Sequence, residues 1–164
     1  MTVLNEIEDA NAILKYVKKD KHVRKIFLLG HSQGGVIASI LAGLYPDIVD
    51  GLNFEVPKDI RQPKNLKLDK NGKPNKMNAT YRQMAKLRSI YPKNQVKVLN
   101  IIGDIGGQTD GTVLNVSSLS LKYIIGNRAK SYRVIKFTGK NARHSRLHEN
   151  AQVDKALIMF LWNK

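Results

Sequence analysis

Cysteine is absent from this chain, which excludes disulfides, thiolate metal ligands and a cysteine nucleophile without fixing a compartment. No apolar run approaches the roughly eighteen residues of a membrane-spanning helix, and the opening MTVLNEIEDA lacks the basic and apolar regions of a secretory leader. The expectation is a soluble chain that carries no address of its own. Acidic residues are scarce: 13 Asp and Glu stand against 28 Lys and Arg, a formal net charge of +15. Such an excess attracts anionic partners on composition alone. No zinc-finger spacing and no RNP-like aromatic motif accompanies it, so it reads as a solvated basic face, and nucleic acid is not an expected partner.

What is present suffices for one domain with a core, since 42% of the 164 residues are hydrophobic and 25% charged. The charge is uneven. From Pro57 to Lys97 there are twelve basic residues against Asp59 and Asp69, so this segment carries ten of the fifteen net positive charges.

The chain is organised around Lys25 to Leu44, KIFLLGHSQGGVIASILAGL. Ile26 to Leu29 form a short apolar run of the kind expected for a strand buried on both faces. From Val36 onward, Ile37, Ala38, Ile40, Leu41 and Leu44 make a helix that is apolar on most sides. Between them Gly30-His31-Ser32-Gln33-Gly34 fits the G-x-S-x-G nucleophile elbow, in which a serine is held on a strained turn with its hydroxyl lifted clear of the sheet. Gly30 and Gly34 are expected where side chains would collide with strand or helix. The N-terminus of the following helix would face a developing oxyanion, with the Gln33 N–H as first donor. The competing reading is a Gly-Ser turn with Ser32 as a helix cap.

Around this stretch, Val3, Ile7, Ala10, Leu14 and Val17 predict an amphipathic helix over residues 3 to 20. Pro46 marks the end of the elbow helix, and Gly51 to Val56 is a second strand. Residues 57 to 78, rich in Lys, Pro, Asn and Gly, read as an excursion over the surface. Asn78 can cap a helix running to about Ile90, and Val96 to Ile102 is a third strand followed by a glycine-rich loop to Val113. Ser117 or Ser118 can cap a short helix through Ile124, ended by Gly126-Asn127. Ser131 to Thr138 is a fourth strand, Gly139 to Arg146 a loop, and Val153 to Leu161 a closing helix. Strands alternating with helices predict a parallel α/β architecture.

A serine nucleophile needs a base and an anion to orient it, and on this architecture the order is Ser, then Asp or Glu, then His. Asp110 lies in the loop after the third strand and His144 in the loop after the fourth, both at the carboxyl ends of strands where α/β sites gather. Asp104 competes with Asp110, but it follows the strand directly and suits the loop's own turn bonds. His22 lies among lysines, His31 is expected to point away from Ser32 and pack near the elbow, and His148 is better placed to pack or cap the last helix. The segment DIGGQTDG fails as a calcium loop because Gly106 and Gln108 stand at ligand positions, although Gln108 could offer a carbonyl. No metal and no cofactor is implied.

GHSQGG, IIGDIGGQTDGTV followed by SSLSLKYI, and NARHSRLHEN before FLW together resemble the α/β-hydrolase superfamily, and within it the DUF915 family of cell-surface hydrolases of Gram-positive bacteria. The resemblance implies Ser32 as nucleophile, Asp110 as acid and His144 as base of a serine hydrolase acting on a small or lipid-like acyl substrate. It also implies an eight-stranded plan of which this chain holds about the last four strands, with the basic excursion where such folds carry a lid. An export route would lie upstream. On that plan the second oxyanion donor would come from a His-Gly-type loop ahead of Met1, whose loss would cost about 10²- to 10³-fold in turnover, and the elbow strand would show an edge that invites self-association. The alternative is a weak or inactive hydrolase serving as a surface-binding module for anionic partners such as a bacterial envelope.

Overall fold

The computed structural model describes residues 3–23, 25–31, 33–44, 49–54, 63–125 and 128–162. The apolar spacing at the front of the chain folds as α1 (Val3–Lys18), with Lys15 and Lys18 in its last turn, where the negative end of the dipole favours them. Next come β1 (Ile26–Leu29), α2 (Gln33–Leu44) and β2 (Val49–Phe54). The Asn78 carboxamide caps α3 (Ala79–Ala85) by accepting from the Tyr81 amide at 2.8 Å. After α4 (Leu87–Ile90) and β3 (Lys97–Asp104) follow α5 (Asn115–Leu119), α6 (Leu121–Ile125) and β4 (Ser131–Thr138). Two 3-10 turns, Lys140–Ala142 and His144–Glu149, lead into α7 (Ala151–Trp162).

The four strands form one parallel sheet in the order β1-β2-β3-β4. One row of the register runs Leu28, Leu52, Val98, Tyr132 across all four. Parallel neighbours require crossovers, which the helices provide. Successive side chains of β3 point to opposite faces, and each face is covered. Val96 and Val98 pack with Ala38 and Ala42 of α2, Leu87 of α4, and Leu121, Ile124 and Ile125 of α6. Leu99 and Ile101 pack on the other side with Leu147, Val153, Leu157 and Phe160. The result is a three-layer α/β arrangement, parallel as the alternation predicts and with the few strands that the resemblance implies.

Several expectations need correction. The β1 run is buried on one face only: Leu28 packs against the α2 side, while Leu29 is 67% exposed and Phe27 also meets solvent. β1 is the outermost strand of the described sheet, the edge position that the resemblance implies, and α7 lies over β3 and β4 instead. α2 begins three residues before Val36, and β2 two before Gly51. The helix after Asn78 breaks at Lys86 into α3 and α4. Ser117 and Ser118 do not cap a helix: α5 starts at Asn115 behind Leu114, and both serines are buried within it. The loop 139–146 is wound into 3-10 turns.

Residues 57–62 of the surface excursion lie outside the described residues, as do Pro46, Glu55, Val56, Gly126 and Asn127. The part from 63 onward is a built turn. Leu68 bridges Pro74, and Asp69 Oδ1 accepts the amides of Asn71 and Lys73 at 2.8 and 2.9 Å. Gly72, at φ +79°, fits against Lys122 and Tyr123 of α6, where a Cβ would lie 3.2 Å from that of Lys122.

Candidate active site

The carboxyl end of β3 is shaped by glycine. An added Cβ on Gly103 would lie 2.0 Å from the carbonyl oxygen of Ala142, so only glycine lets the turn after β4 close over β3. The loop that follows takes left-handed conformations at Gly106, Gly107, Gln108 and Gly111, and is held by the amide of Ile105 on the Thr109 carbonyl and that of Asn115 on the Gln108 carbonyl, both at 2.8 Å. This fold-back brings Asp110 into the interior.

Asp110 is almost fully enclosed and every contact is used. Its Oδ1 accepts the amides of Thr112 (2.8 Å) and Val113 (2.6 Å). Its Oδ2 lies 2.8 Å from Nδ1 of His144, whose side chain is 14% exposed. The backbone repeats the link, with the His144 amide donating to the Asp110 carbonyl at 2.9 Å. A cavity of about 210 Å³ opens beside the pair, lined by Gly111, Thr112, Arg143, His144 and Ser145.

Asp104, the competing carboxylate, is occupied elsewhere. Its Oδ1 accepts the Gly106 amide, and its Oδ2 takes Asn115 Nδ2 at 3.1 Å and Lys136 Nζ at 3.2 Å. The Gly106 amide first, then Lys136, hold its pKa below the usual 3.8. His22 is exposed and bonded to Asp20. His148 is half exposed and 3.8 Å from Glu149.

At the elbow, Ser32 lies outside the described residues, and its two neighbours are described. α2 starts at Gln33, and the first amides of a helix have no intrahelical acceptor. Gly30 is required, because a Cβ there would meet the Gly34 carbonyl oxygen at 2.4 Å. Gly34 is not: an added Cβ meets nothing within 4 Å, since that edge of the helix faces open space. His31 packs against the turn that carries His144, a contact the spacing along the chain did not announce. Its ring centroid lies 4.8 Å from that of His144 and 5.1 Å from that of His148. Sequence reasoning missed this because a side chain's direction at a turn is set by what the rest of the fold brings to it.

A second unanticipated residue is Asn100, fully buried on β3. It donates Nδ2 to the Ser118 carbonyl (3.0 Å) and to the Tyr132 hydroxyl (2.9 Å), tying α5 and β4 to β3 below the site. Burial pushes the Tyr132 phenol up to about 12, so it remains a neutral hydrogen-bonding group.

Known proteins resemble this chain. The whole chain aligns with a Listeria innocua protein of known crystal structure at TM-score 0.80 and 22% identity, spanning 68% of that protein. With Est1E of Butyrivibrio proteoclasticus, solved with ferulic acid bound, 98% of the chain aligns at TM-score 0.59 and 20% identity, spanning 70% of that protein. In sequence, 93 residues are 30% identical to a carboxymethylenebutenolidase homolog of Xenopus tropicalis, covering 56% of this chain and about a third (34%) of that relative. The two structural likenesses speak to the fold. Residues 2–164 match the family described as α/β hydrolase of unknown function, DUF915, and the chain belongs to that family.

Proposed function

We propose that this chain cleaves an ester or related acyl substrate through an acyl-enzyme on Ser32. The observation that carries this reading is the enclosed Asp110 carboxylate 2.8 Å from Nδ1 of His144. A carboxylate only accepts, so Nδ1 holds the proton and the neutral ring keeps its lone pair on Nε2, the form a general base needs. The His144 ring is also 4.8 Å from that of His31, the residue preceding Ser32 in the chain. Ser32 Oγ attacks the acyl carbon while Nε2 takes its proton, and the carbonyl oxygen, now negative, is met by the Gln33 N–H at the start of α2. Collapse expels the alcohol, which takes the proton from Nε2 and leaves the acyl group on Ser32. Water then gives a proton to the same nitrogen, attacks the acyl carbon, and releases the acid as Ser32 recovers its proton. Asp110 steadies the imidazolium in both halves.

A relative named as a carboxymethylenebutenolidase homolog and a structural neighbour holding ferulic acid support an acyl substrate. The basic excursion 57–78 falls where such folds carry a lid, and its charge favours anionic substrates or an anionic envelope surface. A fluorophosphonate probe tests the reaction: covalent labelling of the wild type, lost in Ser32→Ala, is the expected result. Absence of labelling under conditions that label a control esterase overturns it and favours the non-catalytic surface module.

A further inference from the structure

The reaction above makes no use of His31, yet this side chain bridges the two segments on which the reaction depends. Its Nε2 lies 3.1 Å from the backbone carbonyl oxygen of His144. A carbonyl only accepts, so Nε2 carries the proton and donates. The ring sits against two imidazoles of one 3-10 turn, tilted 41° to His144 and 58° to His148. At its other end the His31 carbonyl accepts the Gly34 amide at 3.0 Å, inside the first turn of α2. One residue thus ties the β1–α2 junction to a turn 113 positions away.

The effect on His144 follows from its backbone. The turn His144–Glu149 is six residues of 3-10 helix, a conformation with poorer hydrogen-bond geometry whose runs beyond three or four residues are uncommon. The His144 N–H is held by the Asp110 carbonyl and the His144 C=O by His31. With both sides of the residue fixed, the imidazole keeps one position relative to the elbow, and a displacement of about 1 Å in such a group costs on the order of 10²-fold.

Resting on the reading of Ser32 as nucleophile and His144 as base, the geometry points to His31 as a positioning residue, which clamps the base-bearing turn onto the nucleophile-bearing junction through its Nε2–H. Bulk alone cannot replace it, since leucine has no donor. Glutamine places an amide N–H where Nε2 stood.

Two variants of the full chain, His31→Leu and His31→Gln, test this with two readouts. One is kcat and KM on a p-nitrophenyl ester. The other is the NMR signal of the His144 Nδ1 proton shared with Asp110 in histidine-labelled protein, which needs no turnover. His31→Leu is expected to lower kcat about tenfold to a hundredfold at unchanged KM and to broaden the proton signal, and His31→Gln to restore both. Retention of the signal and of kcat in His31→Leu overturns the assignment, as does a folded His31→Gln that behaves like His31→Leu. If the wild type neither turns over ester nor takes the probe, the Ser32 reading fails while the proton signal still decides the role of His31.

Discussion

Asp110 meets three donors with two oxygens: two backbone amides fix the carboxylate, and the imidazole of His144 takes the remaining direction. An asparagine there can keep the amide bonds to Thr112 and Val113 and turn its NH₂ toward His144. The imidazole must then accept at Nδ1 and carry its proton on Nε2, the wrong form for a base. Asp110→Asn is therefore expected to fold, with an unchanged circular dichroism spectrum, and to lower kcat by roughly 10⁴-fold in a steady-state ester assay. The order of Ser, Asp and His made the proximity of Asp110 and His144 readable, because both residues follow strands of a parallel sheet and so emerge on one rim. The choice between Asp110 and Asp104 had less to stand on. In space Lys136 and Asn115 engage Asp104 from β4 and α5, and no local pattern announces partners 32 and 11 residues away.

At the level of elements, the closeness of the β3 end to the turn after β4 rests on Gly103. Gly103→Ala would push the Ala142 carbonyl from a separation of 2.0 Å, costing on the order of 1–3 kcal/mol. A lowered midpoint of urea unfolding, with loss of the Asp110–His144 proton signal, is the expected result. Asp104 joins the same two strands electrostatically. Its folded pKa is depressed below 3.8, so its contribution to stability is present above that value and is lost as pH falls through the folded pKa. Thermal melts of wild type and Asp104→Asn should differ most near neutral pH and converge as the medium is acidified below 3.8. Strand and helix alternation was readable because apolar spacing alone sets it. The breaks at Lys86 and Ser120, and the start of α5 at Asn115, were not, since they depend on how short helices turn to meet one buried face.

Over the whole molecule, charge and exposed apolar surface pull in opposite directions. A net charge of +15 keeps copies apart, while Phe27 and Leu29, on the outermost strand of the described sheet, expose an apolar face. The expected balance is association that grows with salt, as screening removes the repulsion, and Leu29→Lys should abolish it in sedimentation velocity. A run such as IFLL reads the same whether one face or both are covered, which is why the exposed side of β1 escaped the sequence. The long bridge from His31 to His144 carries one more consequence. During synthesis the β1–α2 junction leaves the ribosome more than a hundred residues ahead of the turn that it grips. On the proposed chemistry, a growing chain stays silent until the segment bearing His144 has emerged and folded back onto that junction.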